Sequence, residues 1–243
     1  MKLLLGSGGF RTEQRIDRLC QQMRQHFGEI EKILFRPYAL ADHDRYVEML
    51  NERGLNAGYI LDGIHHHRDP VKAVESAEGI YVGGGNTFRL LATLYRHQLL
   101  DPIRERVQNG LPYLGVSAGT NVACPTIQTT NDMPITMPPS FEALGLFPFQ
   151  INPHYFDGHT FVKQDEKYHE HFGETRDERI SEFHEMNETP VIGLWEGGIL
   201  KVVDEKVQLI GTSARVFHRG RDPYDLADGS QLSLDEIRRG SST

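Results

Sequence analysis

Cysteine is nearly missing from this chain: of 243 residues, only Cys20 and Cys124 carry a thiol. They stand more than a hundred positions apart, which leaves neither a CxxC metal pair nor a disulfide framework and suits a reducing compartment. Long apolar runs are missing too. The N-terminal MKLLLGSGGFR holds only a short leucine run, far below the ~18 residues of a membrane span and too short for a signal core, and no other segment does better. A cytoplasmic protein without a membrane partner is expected. Basic charge is in short supply, with 26 Lys and Arg against 34 Asp and Glu and a net charge of −8. No basic field exists to hold a phosphate backbone, so nucleic acid is not expected as a partner. Internal repeats and low-complexity segments are lacking as well.

The length suits one α/β domain that buries its own core without disulfide or metal support. Through the first half, short apolar runs alternate with helical patterns. KLLLG (2–6) precedes RTEQRIDRLCQQMRQHF (11–27), whose Ile16, Leu19, Cys20, Met23 and Phe27 share a helical face. KILFRPY with DHDRYVEMLNERG, NAGYILDG with DPVKAVESAEG, GIYVGGG with NTFRLLATLYRHQLL, and LPYLGVS with a helix begun by Ala118 follow in the same rhythm. Such pairing predicts a doubly wound, mostly parallel sheet with flanking helices, with chemistry at the C-terminal strand ends. From about 190 the pattern shifts to short strands and turns, which predicts β-hairpins added at the sheet edge. The domain is expected over 1–220, and the polar stretch 221–243 as a loosely held tail.

The pentapeptide GVSAG (115–119) at the end of LPYLGV fits the G-x-S-x-G elbow, in which a strained strand-to-helix turn projects a serine hydroxyl over the sheet edge. Ser117 is therefore the candidate nucleophile. The helix start behind it offers a free N–H, so Ala118 is a candidate oxyanion donor. YVGGGNTFRL (81–90) ends its strand in three glycines and sets Asn86 at a helix N-cap. Gly85 is the second candidate donor, with Asn86 a candidate substrate contact; the run lacks the GK[ST] ending of a P-loop. GSGG (6–9) reads as a tight turn. In INPHYFDGH (151–159), Pro153 favours extended backbone before His154, the candidate general base. Two acids compete to orient it: Asp132 in TTNDMPI and Glu196 in GLWEGG. Either can offset imidazolium charge, and one can instead hold the α-amino group of a small substrate. HHHRD (65–69) with DHD (42–44) is the one metal candidate, but adjacent histidines on an extended chain point to opposite faces, so at most two could share an ion and no metal is expected. HFGETRDERISEFHE (171–185) reads as a helix with Glu174 or Thr175 near its start. It presents Arg176, the candidate partner of a substrate carboxylate.

With GVSAGTNVACPTIQTTNDMPI, VGGGNTF, INPH, GETRDERI and GLWEGG in this order, the chain resembles peptidase E, the α-aspartyl dipeptidases, over roughly residues 1 to 217. The resemblance implies a cytosolic serine peptidase that hydrolyses dipeptides with N-terminal aspartate, a fold similar to class I glutamine amidotransferases, and no metal or cofactor. It implies Ser117 as nucleophile, His154 as base, and Gly85 with Ala118 as oxyanion hole. Asp132 and Glu196 both match acidic positions, and Asp132 is ranked narrowly first. The chain departs from the pattern at GSGGF, in the long stretch 156–172, at Gln128, and after 217. A small peptide is the expected partner, with a homodimer allowed. The rival readings are a cyanophycinase-like peptidase acting on β-aspartyl material and a non-catalytic binding protein on the same fold.

Overall fold

The computed structural model describes residues 1–158, 160–171 and 173–240, apart from the side chain of His171. In chain order the elements are β1 (Lys2–Gly6), α1 (Glu13–Phe27), β2 (Lys32–Arg36), α2 (His43–Glu52), β3 (Ile60–Gly63), a 3-10 turn (Ile64–His66), α3 (Pro70–Glu75), β4 (Ile80–Val82), α4 (Thr87–Arg96), α5 (Leu100–Gln108), β5 (Tyr113–Val116) and α6 (Ala118–Ala123). The second half holds β6 (Gln150–Tyr155), β7 (Thr160–Gln164), β8 (Lys167–His171), α7 (Arg176–Met186), β9 (Val191–Trp195), β10 (Ile199–Val203), β11 (Lys206–Ile210), β12 (Ala214–Phe217), β13 (Tyr224–Leu226), β14 (Gln231–Ser233) and α8 (Leu234–Arg239).

The main sheet runs β14-β11-β10-β1-β5-β4-β2-β3. Its five strands from the first half are parallel, and β10, β11 and β14 extend it antiparallel as the predicted edge additions. Strands of this kind are buried on both faces. Leu3 and Leu5 point to the side packed by α4, α5 and α6, where Leu90, Ile103 and Val122 lie, whereas Leu4 joins Leu19, Met23 and Leu50 of α1 and α2 on the other. The helices start where side chains satisfy their free amides: Thr12, Asp42, Asp69 and Asn86 each accept from the backbone N–H three residues on. The single helix expected over 86–100 ends at Arg96, where Gln98 takes a positive φ of 53° and the chain restarts as α5.

Two features depart from the sequence expectation. A second sheet, β13-β12-β9-β6, stands apart from the first and pairs β6 with β9 in parallel. The described residues after Gly220, 221–240, are not a loose tail. They add β13 to β12 and β14 to β11, and Ser233 and Glu236 form a capping box that starts α8 and buries Ile237 completely. Within the long stretch 156–172, the described residues form the β7–β8 hairpin, which is exposed along β7. Among the described residues no helix is long and apolar enough to cross a membrane.

Candidate active site

Ser117 sits between β5 and α6 with φ 53° and ψ −109°, a left-handed conformation that costs a non-glycine residue of order 1–3 kcal/mol. The flanking glycines make the turn feasible by close approach. A Cβ on Gly115 would stand 2.4 Å from the Gly119 carbonyl oxygen, and one on Gly119 would stand 2.1 Å from that of Val82. Thr120 locks the turn from below, its hydroxyl donating to the carbonyls of Gly6 and Gly115.

His154 lies within β6, at a bulge where the register against β9 shifts between Pro153 and Tyr155. Its φ is 56°, again left-handed, and the bulge turns the imidazole toward Ser117. The Ser117 hydroxyl and His154 Nε2 are 2.7 Å apart. On the other side of the ring, Nδ1 lies 2.6 Å from Glu196 Oε1. An ionised Glu196 accepts from Nδ1–H, which leaves the Nε2 lone pair facing the serine. The hydrogen bond from His154 holds the Glu196 carboxyl below its ordinary pKa; partial burial works against the shift, and the charges of His154, Arg15 and Arg11 reinforce it.

Asp132, ranked ahead of Glu196 from the sequence, has different partners. Its Oδ2 accepts from the Thr87 amide at 2.7 Å, the Thr87 hydroxyl at 2.6 Å and the Thr130 hydroxyl at 3.2 Å, so it anchors the N-terminus of α4. The ranking is thereby corrected: the orienting contact to the imidazole is made by Glu196. The carboxylate of Asp132 still lines the cleft of about 430 Å³ that contains Ser117, His154, Gly84 and Gly85.

Asn86 takes the expected N-cap position. Its Oδ1 caps α4 at the Arg89 amide and its Nδ2 donates to the Met133 carbonyl, tying the GGGN turn to the NDMPI loop. Gly84 packs on Ser117, where an added Cβ would lie 3.0 Å from that of the serine. Gly85 follows with φ +132°. Neither the Gly85 nor the Ala118 amide donates to a backbone carbonyl in the turns and loops among the described residues. Arg176 opens α7 behind the Thr175–Glu178 capping box. Its guanidinium lies 5.5 Å from the centroid of the Phe156 ring, with Nε buried and lacking a hydrogen-bond partner. Burial foremost, and then the neighbouring Arg179, lowers its pKa. The cations that line the Ser117 cleft directly are Arg11 and Arg53.

GSGG is the part of the site that the sequence reading missed. The Ser7 hydroxyl accepts from the amide of His154 at 2.8 Å and donates to the Leu194 carbonyl at 2.8 Å, holding the bulge of β6 against β9. Gly8 and Gly9 leave room for the two side chains above them. An added Cβ would lie 2.5 Å from His154 Cε1 at Gly8 and 1.6 Å from Glu196 Oε2 at Gly9. Three small residues at a strand end were the available signal.

Comparison with known proteins agrees with this architecture. The family model described as "Peptidase family S51" matches residues 2–210. A Streptomyces coelicolor protein named "Peptidase E" is 50% identical over 206 residues, covering 83% of this chain and 81% of its own. A Drosophila melanogaster protein named "Probable alpha-aspartyl dipeptidase" is 45% identical over 236 residues, 96% of this chain and 95% of its own. Among solved structures, that of a peptidase from an acI-B1 Actinobacterium superposes with a TM-score of 0.67 at 19% identity, over 96% of each chain, and shares the fold. The mixed α/β architecture, a large mostly parallel sheet with flanking helices, is shared with that structure, and the chain belongs to peptidase family S51.

Proposed function

We propose that this protein is a serine dipeptidase that hydrolyses Asp-Xaa dipeptides. The observation that carries the reading is the continuous chain of contacts from Ser117 Oγ to His154 Nε2 to Glu196 Oε1, at 2.7 and 2.6 Å. In the proposed reaction, Ser117 Oγ attacks the carbonyl carbon of the N-terminal aspartyl residue while its proton passes to His154 Nε2. The amides of Gly85 and Ala118 receive the oxyanion of the tetrahedral intermediate. His154 then gives its proton to the leaving amine as the C–N bond breaks. Water, deprotonated by the same imidazole, attacks the ester and releases aspartate and free Ser117. Glu196 keeps the imidazole in the productive tautomer and offsets its charge while it is protonated.

Aspartate selectivity needs a cation, and Arg176 is the proposed partner of the substrate carboxylate. Its half-buried guanidinium, with an unpartnered Nε, sits on Phe156, close along the chain to His154. A reducing, cytoplasmic setting suits the free buried thiols of Cys20 and Cys124. The names of the relatives give the β-aspartyl reading no support.

The test is a dipeptide panel with wild type and Ser117→Ala, joined to labelling by a serine-directed fluorophosphonate and mass spectrometry. Hydrolysis of Asp-Leu, its loss in Ser117→Ala and an adduct on Ser117 are expected. An unlabelled Ser117 in a protein that hydrolyses no dipeptide would reject the reading. For Arg176→Ala, kcat/KM for Asp-Leu is expected to fall relative to Asn-Leu; an unchanged ratio transfers the anion-binding role to Arg11 or Arg53.

A further inference from the structure

Away from the catalytic rim, at the C-terminal ends of β2 and β3, the first turn of α2 meets the 3-10 turn that follows β3. Here Asp44, His65 and His66 converge. Both imidazoles direct Nε2 at the same carboxylate oxygen: His65 lies 2.9 Å and His66 2.7 Å from Asp44 Oδ1. One coordinating atom from each of the three residues lies within 4.8 Å of the other two. The ring centroids of His65 and His66 are 4.0 Å apart, and the ring of His43 flanks that of His65 at 5.2 Å.

The expectation that adjacent histidines diverge holds for extended chain. Residues 64–66 instead form a tight turn, which brings His65 and His66 to one side. Gly63 provides the seat for the inner ring. A Cβ there would stand 2.4 Å from His65 Cε1, and the His65 side chain keeps only 12% of its exposure. Its Nδ1 is buried without a hydrogen-bond partner, and Nε2–H donates to Asp44 Oδ1, a proton that an incoming ion would displace to Nδ1. With the proton on Nδ1, the Nε2 lone pair is free to bind an ion. His66 and Asp44 stay open to solvent, at 61% and 71% of full side-chain exposure, which gives an ion a route in.

We propose that Asp44, His65 and His66 form a binding site for a first-row divalent transition ion of the zinc type. Two imidazoles and a carboxylate make a borderline donor set that suits zinc, cobalt or nickel and does not suit calcium or magnesium. Tetrahedral bonds of about 2.0–2.1 Å need donor separations of roughly 3.3 Å. The observed 2.9 and 2.7 Å need only a small side-chain opening to reach that distance. Three protein ligands leave a fourth position for water. The ion would pin the first turn of α2 to the end of β3. Tyr46, Met49 and Leu50, farther along α2, and Arg53 just past its end line the cleft that holds Ser117, so the site would brace one wall of the cleft from outside.

The experiment uses the full, untagged chain, stripped with chelator and dialysed, then titrated with zinc chloride by calorimetry. Bound metal is counted by elemental analysis after gel filtration, and thermal midpoints are recorded with and without zinc. Wild type is expected to bind one ion per chain at micromolar zinc and to melt at a higher temperature with it, because a ligand selective for the folded state raises its stability. His66→Ala and Asp44→Asn, both at exposed positions, are each expected to weaken binding at least about tenfold, the least that loss of a supporting group costs a metal site. His67→Ala, whose Nε2 contacts Asp62 instead, is expected to bind as wild type does. Cobalt in place of zinc is expected to give visible absorption bands in wild type that His66→Ala lacks. The proposal is overturned if wild type binds no zinc at micromolar concentration, or if His66→Ala and Asp44→Asn retain its affinity and stoichiometry.

Discussion

The loop after β9 and the loop after α6 each bring a carboxylate toward Ser117, and the two acids meet different neighbours. Glu196 stands one residue past the end of β9, the strand that pairs with β6, and so faces the imidazole carried by β6. Asp132 sits in an irregular loop whose bonds run outward in two directions. Asn131 donates to the carbonyl of Pro153, next to His154, while Asp132 accepts from Thr87 at the start of α4, close to Gly85. One loop therefore touches the imidazole of His154. The other ties the strand of His154 to the glycine turn proposed to hold the oxyanion. An acid beside a candidate nucleophile is thus no guide to its role until its hydrogen-bond donors are known.

Substitution of the two acids separates these roles most sharply. Glu196→Gln keeps the shape but removes the charge that selects the Nδ1–H tautomer, and such a change in a serine triad costs about 10⁴ in kcat. That loss is expected here, with KM little changed. Asp132→Asn weakens charge-assisted bonds to Thr87, so about tenfold in kcat/KM and about 1–3 kcal/mol of stability are expected. Steady-state kinetics on Asp-Leu with thermal melts of both variants checks the ordering, and a larger kinetic loss in Asp132→Asn would reverse the assignment.

A second break leaves both acids in place. Gly9→Ala puts a methyl group 1.6 Å from Glu196 Oε2, so the carboxylate must move off the imidazole. Misplacement of a catalytic group by about 1 Å costs on the order of 10² in rate, and kcat is expected to fall by about that factor. Fluorophosphonate labelling of Ser117 is expected to slow in step, whereas the bonds of Asp132 to Thr87 lie outside the disturbance.

Much of this arrangement is written locally in the chain. The β-α pairs are legible because apolar periodicity reports burial directly, and Ser117 because Gly115 and Gly119 sit where backbones touch. What the residues do not state is which loops share a rim. β6 and β9 pair across an intervening hairpin and helix, so whether Glu196 or Asp132 reaches His154 depends on a register that no local pattern reports. GSGG reads as a turn because glycine advertises space without naming what occupies it; here the occupants are His154 and Glu196. The expected loose tail rested on polar composition alone, whereas Ser233-x-x-Glu236 carries a capping-box pattern that starts a helix.

The smallest effect expected is on stability at low pH. The hydrogen bond from His154, helped by the charges of His154, Arg15 and Arg11, depresses the folded-state pKa of Glu196. A depressed carboxyl contributes stability that is fully present above its unfolded pKa of about 4.3 and is lost as pH falls through the lower, folded value, because the unfolded chain takes up the proton first. Glu196 is 43% exposed, so solvent screens much of the interaction. In denaturant melts between pH 3 and pH 7, Glu196→Gln should therefore show a slightly shallower loss of stability toward acid than wild type. A slope identical to that of wild type would mean that the bond to His154 contributes to catalysis without stabilising the fold.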